Sequence, residues 1–137
     1  KPSLDDLTEI SLKKMSSDKR PFFMMIESSQ IDWGAHDNSL TYVLSELKEF
    51  DLAISKALEF AIADGNTLII VTSDHETGGL SLSGGNIKKS RVKADFSTGG
   101  HSGSMVPVFS YGPNSELFSG IYDNTSIFDK MLKTIEN

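Results

Sequence analysis

The side chains best equipped for chemistry are the three histidines of this 137-residue chain, His36, His75 and His101. In Asp32-Trp33-Gly34-Ala35-His36 a carboxylate precedes an imidazole by four residues, and Asp74 adjoins His75 directly. His101 lies in Ser97-Thr98-Gly99-Gly100-His101-Ser102-Gly103, where glycines let the backbone approach a ligand closely. A single histidine on a loop is usually a surface residue. Three beside acids or glycines, two of them at strand ends, favour metal binding, and carboxylate with imidazole is a zinc donor set. With no cysteine in the chain, thiolate sites and disulfides are excluded and the redox compartment stays open.

The elements that must position these groups centre on Thr67-Leu68-Ile69-Ile70-Val71-Thr72, an aliphatic run that reads as a strand buried on both faces. Asp74 and His75 follow at its carboxyl end, where open α/β sheets place ligands. Phe22-Phe23-Met24-Met25-Ile26-Glu27 is a second buried-strand candidate ending in an acid, and residues 28–34 read as a loop. From Asn38 to Asp64 the stripe Leu40, Leu44, Leu47, Ile54, Leu58, Ala61 predicts a long core-facing helix, stopped by Gly65. Asp51 falls in a gap of that stripe, so either the helix shifts phase or Asp51 is partly buried. Asp37 is the expected cap of this helix. Strand, helix and strand in that order predict a right-handed crossover with parallel strands. Ser3 to about residue 17 reads as a capped helix. Residues 80–96 read as a hairpin turning at Gly84-Gly85-Asn86, Val106 to Tyr111 as a last strand, and Thr125 as the cap of an amphipathic terminal helix.

Composition is that of a globular domain, 38% apolar and 23% charged, and no apolar run nears the roughly 18 residues of a membrane span. A net charge of −6 argues against nucleic acid as a partner. It leaves phosphate substrates possible, because bound cations invert a site's field. Residues 1–137 read as one domain. The chain opens Lys1-Pro2-Ser3 with neither initiator Met nor signal peptide, and is expected to be a piece of something longer.

Four phrases carry a resemblance: Phe22 to Glu27, Ile31 to Asn38, Thr72-Ser73-Asp74-His75-Glu76-Thr77-Gly78-Gly79, and Gly100-His101-Ser102-Gly103 with Val106-Pro107-Val108. In kind and order they resemble the carboxyl-terminal part of alkaline phosphatase, from Pro2 to the closing helix. The resemblance implies an α/β fold, a three-layer α/β/α sandwich of which this chain would be the carboxyl-terminal part of a mostly parallel sheet. It implies two zinc ions and one magnesium. Asp32, His36 and His101 would ligate the first zinc, Asp74 and His75 the second, and Glu27 the magnesium. Two such zincs clamp the attacking and leaving oxygens of an in-line displacement. Phosphate monoesters and inorganic phosphate are the implied partners of a periplasmic or extracellular enzyme, and a homodimer is one assembly open to it.

The family's serine nucleophile, its phosphate-binding Arg and further metal ligands belong to upstream motifs that nothing here matches. The parent would therefore be the enzyme, acting through a phosphoserine, with this segment alone inactive. The nearest rival is a phosphodiesterase or sulfatase of the same superfamily, and a rival of another class is a non-catalytic metal-binding module. Trp33 stands where other members carry Lys or His, which bears on magnesium at the third site. The short span from Gly79 to His101 implies that any large inserted surface domain is lacking or reduced. Ser73, Thr77 and Ser102 read as turn and hydrogen-bond residues, Glu76 as a residue behind the site or exposed, and Lys88, Lys89, Arg91 and Lys93 as a solvated edge.

Overall fold

The computed structural model describes residues 2–136, and the α/β class expected from sequence holds. Helix α1 (Leu4–Ser16) starts where the Asp6 carboxylate accepts the Ser3 N–H at 3.4 Å. Asp5 and Asp6 in its first turn and Lys13 and Lys14 in its last oppose the helix dipole. It packs on α3 (Leu40–Asp64), with Thr8 and Leu12 buried and a Lys56–Glu9 ion pair at 3.0 Å. Gly65, at φ 72°, ends α3 in the left-handed conformation and donates its N–H to Ala61 O at 2.9 Å.

Two expectations about this region change, and one question left open is decided. Residues 28–34 are not a loop. Gln30–His36 form a two-turn helix, α2, packed on α3. Its local signal is weak, because a seven-residue helix containing a glycine has little stability of its own. Tertiary contact supplies the rest: a Cβ on Gly34 would lie 3.0 Å from Val43 N and 3.1 Å from Tyr42 Cγ, so the bare glycine lets α2 approach α3 without displacing either. The Tyr42 hydroxyl also donates to Gln30 Oε1. Nor does Asp37 cap α3, since Asp37 terminates α2 and Ser39 Oγ accepts the Tyr42 N–H as the N-cap. Asp51 is exposed, so it is no buried acid.

Strand β1 (Ile69–Thr72) pairs antiparallel with β6 (Val108–Tyr111), Ile69 opposite Tyr111 through Thr72 opposite Val108. The parallel crossover with Phe22–Glu27 does not form among the described residues. That segment joins no ladder, yet its burial alternates as a strand's does, with Phe22, Met24 and Ile26 half-buried. Its other face is open, Phe23 being 71% and Met25 80% exposed. β1 is likewise half-buried rather than buried on both faces. Strands of a parallel sheet need a cover on each face, which this stretch of chain does not supply by itself.

Beyond β1 come β2 (Glu76–Thr77), the hairpin strands β3 (Ser81–Asn86) and β4 (Arg91–Asp95), and β5 (His101–Ser102). The hairpin forms as expected but turns at a 3-10 segment, Ile87–Lys89, with Gly84 and Gly85 inside the strand beside a register shift. The Asn86 side chain accepts the Lys89 N–H at 3.0 Å, which moves the turn three residues along. Lys88, Lys89, Arg91 and Lys93 are all exposed on it, as expected for a solvated edge. Pro107 lies just before β6, where its missing N–H costs no ladder bond. A 3-10 turn (Ser115–Phe118) buries Phe118, and α4 (Ser126–Glu136) follows. At its start Thr125 donates both its N–H and its hydroxyl to Asp123 Oδ1.

Candidate metal centre

Helix α2 places Asp32 and His36 one turn apart on the same face, four residues being one turn of an α-helix. Strand β5 brings His101 to them. The donor atoms of these three residues lie within 4.8 Å of one another. His36 Nε2 is 3.4 Å from Asp32 Oδ2, His101 Nε2 is 3.7 Å from Asp32 Oδ1, and the two Nε2 atoms are 3.2 Å apart. Four ligands set tetrahedrally around zinc at usual bond lengths stand about 3.3 Å from each other. The observed separations, taken to a different Asp32 oxygen for each histidine, lie close to that spacing.

Proton accounting gives the same fit. His36 Nδ1 donates to Gly99 O at 2.7 Å, so the neutral ring is the Nδ1–H tautomer, with its lone pair on Nε2. That lone pair faces a carboxylate and a second imidazole nitrogen. A cation placed among these atoms would draw on all three, and in its absence an Nε2–H of His101 can donate to the same lone pair.

Thr77, nearly buried, donates its hydroxyl to Asp32 Oδ1 at 2.6 Å. Its single proton is then spent, so the 3.2 Å contact with His75 Nδ1 requires the imidazole to be the donor. His75 Nε2 is thereby freed, and it stands 3.2 Å from Asp74 Oδ2. The His75 ring stacks on His101, centroids 3.6 Å apart, so the Asp74–His75 pair adjoins the triad. Asp74 is largely exposed, its side chain at 81%.

Glu27, the sixth candidate, is exposed and is not part of the triad. Trp33 is exposed on α2. The hydroxyls of Ser73 and Ser102 bond His75 O and the Glu76 carboxylate, the hydrogen-bond roles expected of them. Glu76 accepts from Ser102 and from the Leu80 and Gly79 N–H groups, and the Ser102 hydroxyl in particular holds its carboxyl below the usual range.

Three supports were not legible beforehand. One is the Gly99 carbonyl behind His36. Another is Asn38, whose amide, turned so that its nitrogen faces these two carbonyls, donates to Ala35 O at 3.1 Å and Thr98 O at 2.8 Å and ties the end of α2 to the segment before His101. The third is Gly78, at φ 85°, where a Cβ would meet Ala35 O at 2.9 Å and Phe96 Cδ1 at 2.8 Å. Only the Gly78-Gly79 doublet is visible in the sequence, and a glycine pair does not by itself say what approaches it.

An α/β chain that collects carboxylate and imidazole donors in one place has the layout of a metal-binding segment. The comparisons with known proteins make this specific. The alkaline phosphatase family model matches residues 1–95 and 86–136, two pieces that overlap within the hairpin, and the chain belongs to that family. It is 30% identical to alkaline phosphatase 3 of Bacillus subtilis (strain 168), over 98% of this chain and 44% of that protein. With alkaline phosphatase 4 of the same organism identity is 35%, over 98% of this chain and 29% of that protein. The solved structure of alkaline phosphatase from the Antarctic bacterium TAB5 superposes with a TM-score of 0.88 at 50% identity, over 97% of this chain and 40% of that one. A TAB5 mutant with Mg bound in its M3 site gives a TM-score of 0.89 at 48% identity, over 97% and 41%. The chain thus spans less than half the length of these relatives.

Proposed function

We propose that this chain is the metal-ligating part of an alkaline phosphatase, and that the parent protein hydrolyses phosphate monoesters to release inorganic phosphate. Asp32, His36 and His101 would hold the first zinc, Asp74 and His75 would contribute to the second, and Glu27 would be a magnesium ligand. The observation that carries this reading is the triad: three donors at zinc-like separations, with the His36 tautomer set so that a lone pair points inward. Glu27 and magnesium rest on family resemblance and on the Mg in the M3 site of the TAB5 mutant, because no contact among the described residues draws Glu27 to the other ligands.

When bound, the ions would supply Lewis-acid stabilisation of charge on the attacking and leaving oxygens of phosphoryl transfer. This chain's own residues do the positioning. Thr77 orients Asp32 by one bond and His75 by another, and Gly99 O orients His36. Fixing ligand rings from behind is how outer partners sharpen metal affinity. The phosphoserine-forming nucleophile is placed in the parent upstream of this segment, again on resemblance. The family also puts the parent in the periplasm or outside the cell, and no helix among the described residues is long and apolar enough to cross a membrane.

Equilibrium dialysis of the chain against zinc tests the reading, with His101→Ala alongside. About one tight zinc per chain, lost in the variant, is the expected result. Equal zinc uptake by both proteins would overturn the ligand assignment.

A further inference from the structure

The two-residue ladder between β2 and β5 sets Thr77 opposite His101 and Glu76 opposite Ser102. Successive side chains on a strand point to opposite faces. Thr77 and His101 accordingly face Asp32, while Glu76 and Ser102 occupy the reverse side. A ladder this short has few bonds of its own, and the Gly78 N–H to Gly100 O bond at 2.9 Å extends it only slightly.

The reverse side is where the ladder is fastened. One oxygen of the Glu76 carboxylate accepts from both the Ser102 hydroxyl and the Gly79 N–H, the latter at 3.2 Å. The other oxygen accepts the Leu80 N–H at 3.0 Å. A single side chain thus ties the turn leaving β2 to the strand that carries His101. Glu76 sits next to His75 in sequence, and Ser102 sits next to His101. Their contact therefore couples the two segments whose imidazole rings stack at 3.6 Å. None of these donors or acceptors is a candidate metal ligand.

We propose that Glu76, through Ser102, is a positioning residue that sets the His101 ring in the triad from the far face of the ladder. The proposal rests on the metal-centre reading above. It predicts that a group touching neither metal nor substrate controls how well His101 serves as a ligand.

Zinc titrations of Glu76→Ala, Ser102→Ala and Glu76→Gln test it, with the unsubstituted chain and His101→Ala alongside. Removing an outer partner of a metal ligand typically weakens metal binding by about 10–100-fold. Glu76→Ala is expected in that range with unchanged stoichiometry, Ser102→Ala towards its lower end, and Glu76→Gln between them, since the carboxamide keeps one acceptor oxygen. The metal-free proteins add an independent reading. In Glu76→Ala and Ser102→Ala the NMR signals of the stacked His75 and His101 rings should move together. A merely structural Glu76 would lower thermal stability but leave the zinc affinity of the folded protein unchanged. That outcome, with zinc still lost in His101→Ala, overturns the proposal alone. Failure of the unsubstituted chain to bind zinc overturns the metal-centre reading and this proposal with it. Should Glu76→Ala not fold, Ser102→Ala decides, because it removes a single hydroxyl from the same contact.

Discussion

The triad and the Asp74–His75 pair lie against each other but are built differently. The triad draws ligands from two separate elements, α2 and β5, and holds each from behind: Asp32 by Thr77, His36 by Gly99 O, and His101 by the ladder. The pair comes from one short stretch after β1. There the His75 ring is held by Thr77 and by stacking, while the hydrogen bond that reaches Asp74 from a distant segment among the described residues goes to its main-chain oxygen, from Asn124 at 3.4 Å. A donor set that is already in place loses little freedom on binding, whereas an exposed carboxylate must be ordered first. Within one chain, then, one half-site is preorganised and its neighbour is open.

The largest expected effect would break that comparison if it failed. His36→Ala should abolish the tight zinc, because it removes a preset lone pair from a three-donor cage. Asp74→Ala should leave that zinc bound and affect only weaker binding. Dialysis of both variants against a range of zinc concentrations distinguishes them. A tight zinc that survives His36→Ala but disappears in Asp74→Ala would reverse the ranking of the two half-sites.

A smaller effect is expected at the residue the two half-sites share. Thr77→Val keeps the shape of the side chain but deletes the hydroxyl that bonds Asp32 and His75 together. Zinc affinity of the triad should fall by about 10–100-fold, and Thr77→Ser should restore most of it. The His75 ring should also lose its preference for the Nδ1–H tautomer, which nitrogen chemical shifts report. Unchanged affinity and tautomer in Thr77→Val would mean that the half-sites are merely adjacent.

What sequence made legible follows the same division. Donors adjacent to aliphatic runs or glycines stood out by type, and five of the six candidates, Asp32, His36, His101, Asp74 and His75, lie together in the structure. Helices α1, α3 and α4 were legible from periodicity and end signals, which are local properties of the chain. Helix α2 was not, because its existence depends on Gly34 fitting against Val43 and Tyr42, a contact no local pattern announces. The pairing of β1 with β6 was missed for a related reason. An aliphatic run of this length indicates a strand but not its neighbour, and the right-handed crossover rule favours a parallel partner that this chain does not place beside it. The Gly99 and Asn38 supports act through main-chain oxygens, which every residue carries, so side-chain type gives them no signature.

The smallest effect separates scaffold from site. The corner between α2 and α3 carries Asp37 and Ser39, and only Ser39 accepts a helix-start N–H, from Tyr42. Ser39→Ala should cost about 1 kcal/mol of stability, the usual loss for a removed N-cap. Asp37→Ala should cost little, as an exposed residue at the end of α2 with its N–H bonded to Trp33 O at 3.0 Å. Urea unfolding of both variants checks the ranking. Because the Ser39 bond lies on the α3 side of the corner, zinc affinity of the folded protein should stay within a few-fold in both. A drop in affinity in Ser39→Ala as large as that expected for Thr77→Val would show that the rigidity of the triad is borrowed from the α2–α3 corner rather than built by the bonds behind each ligand.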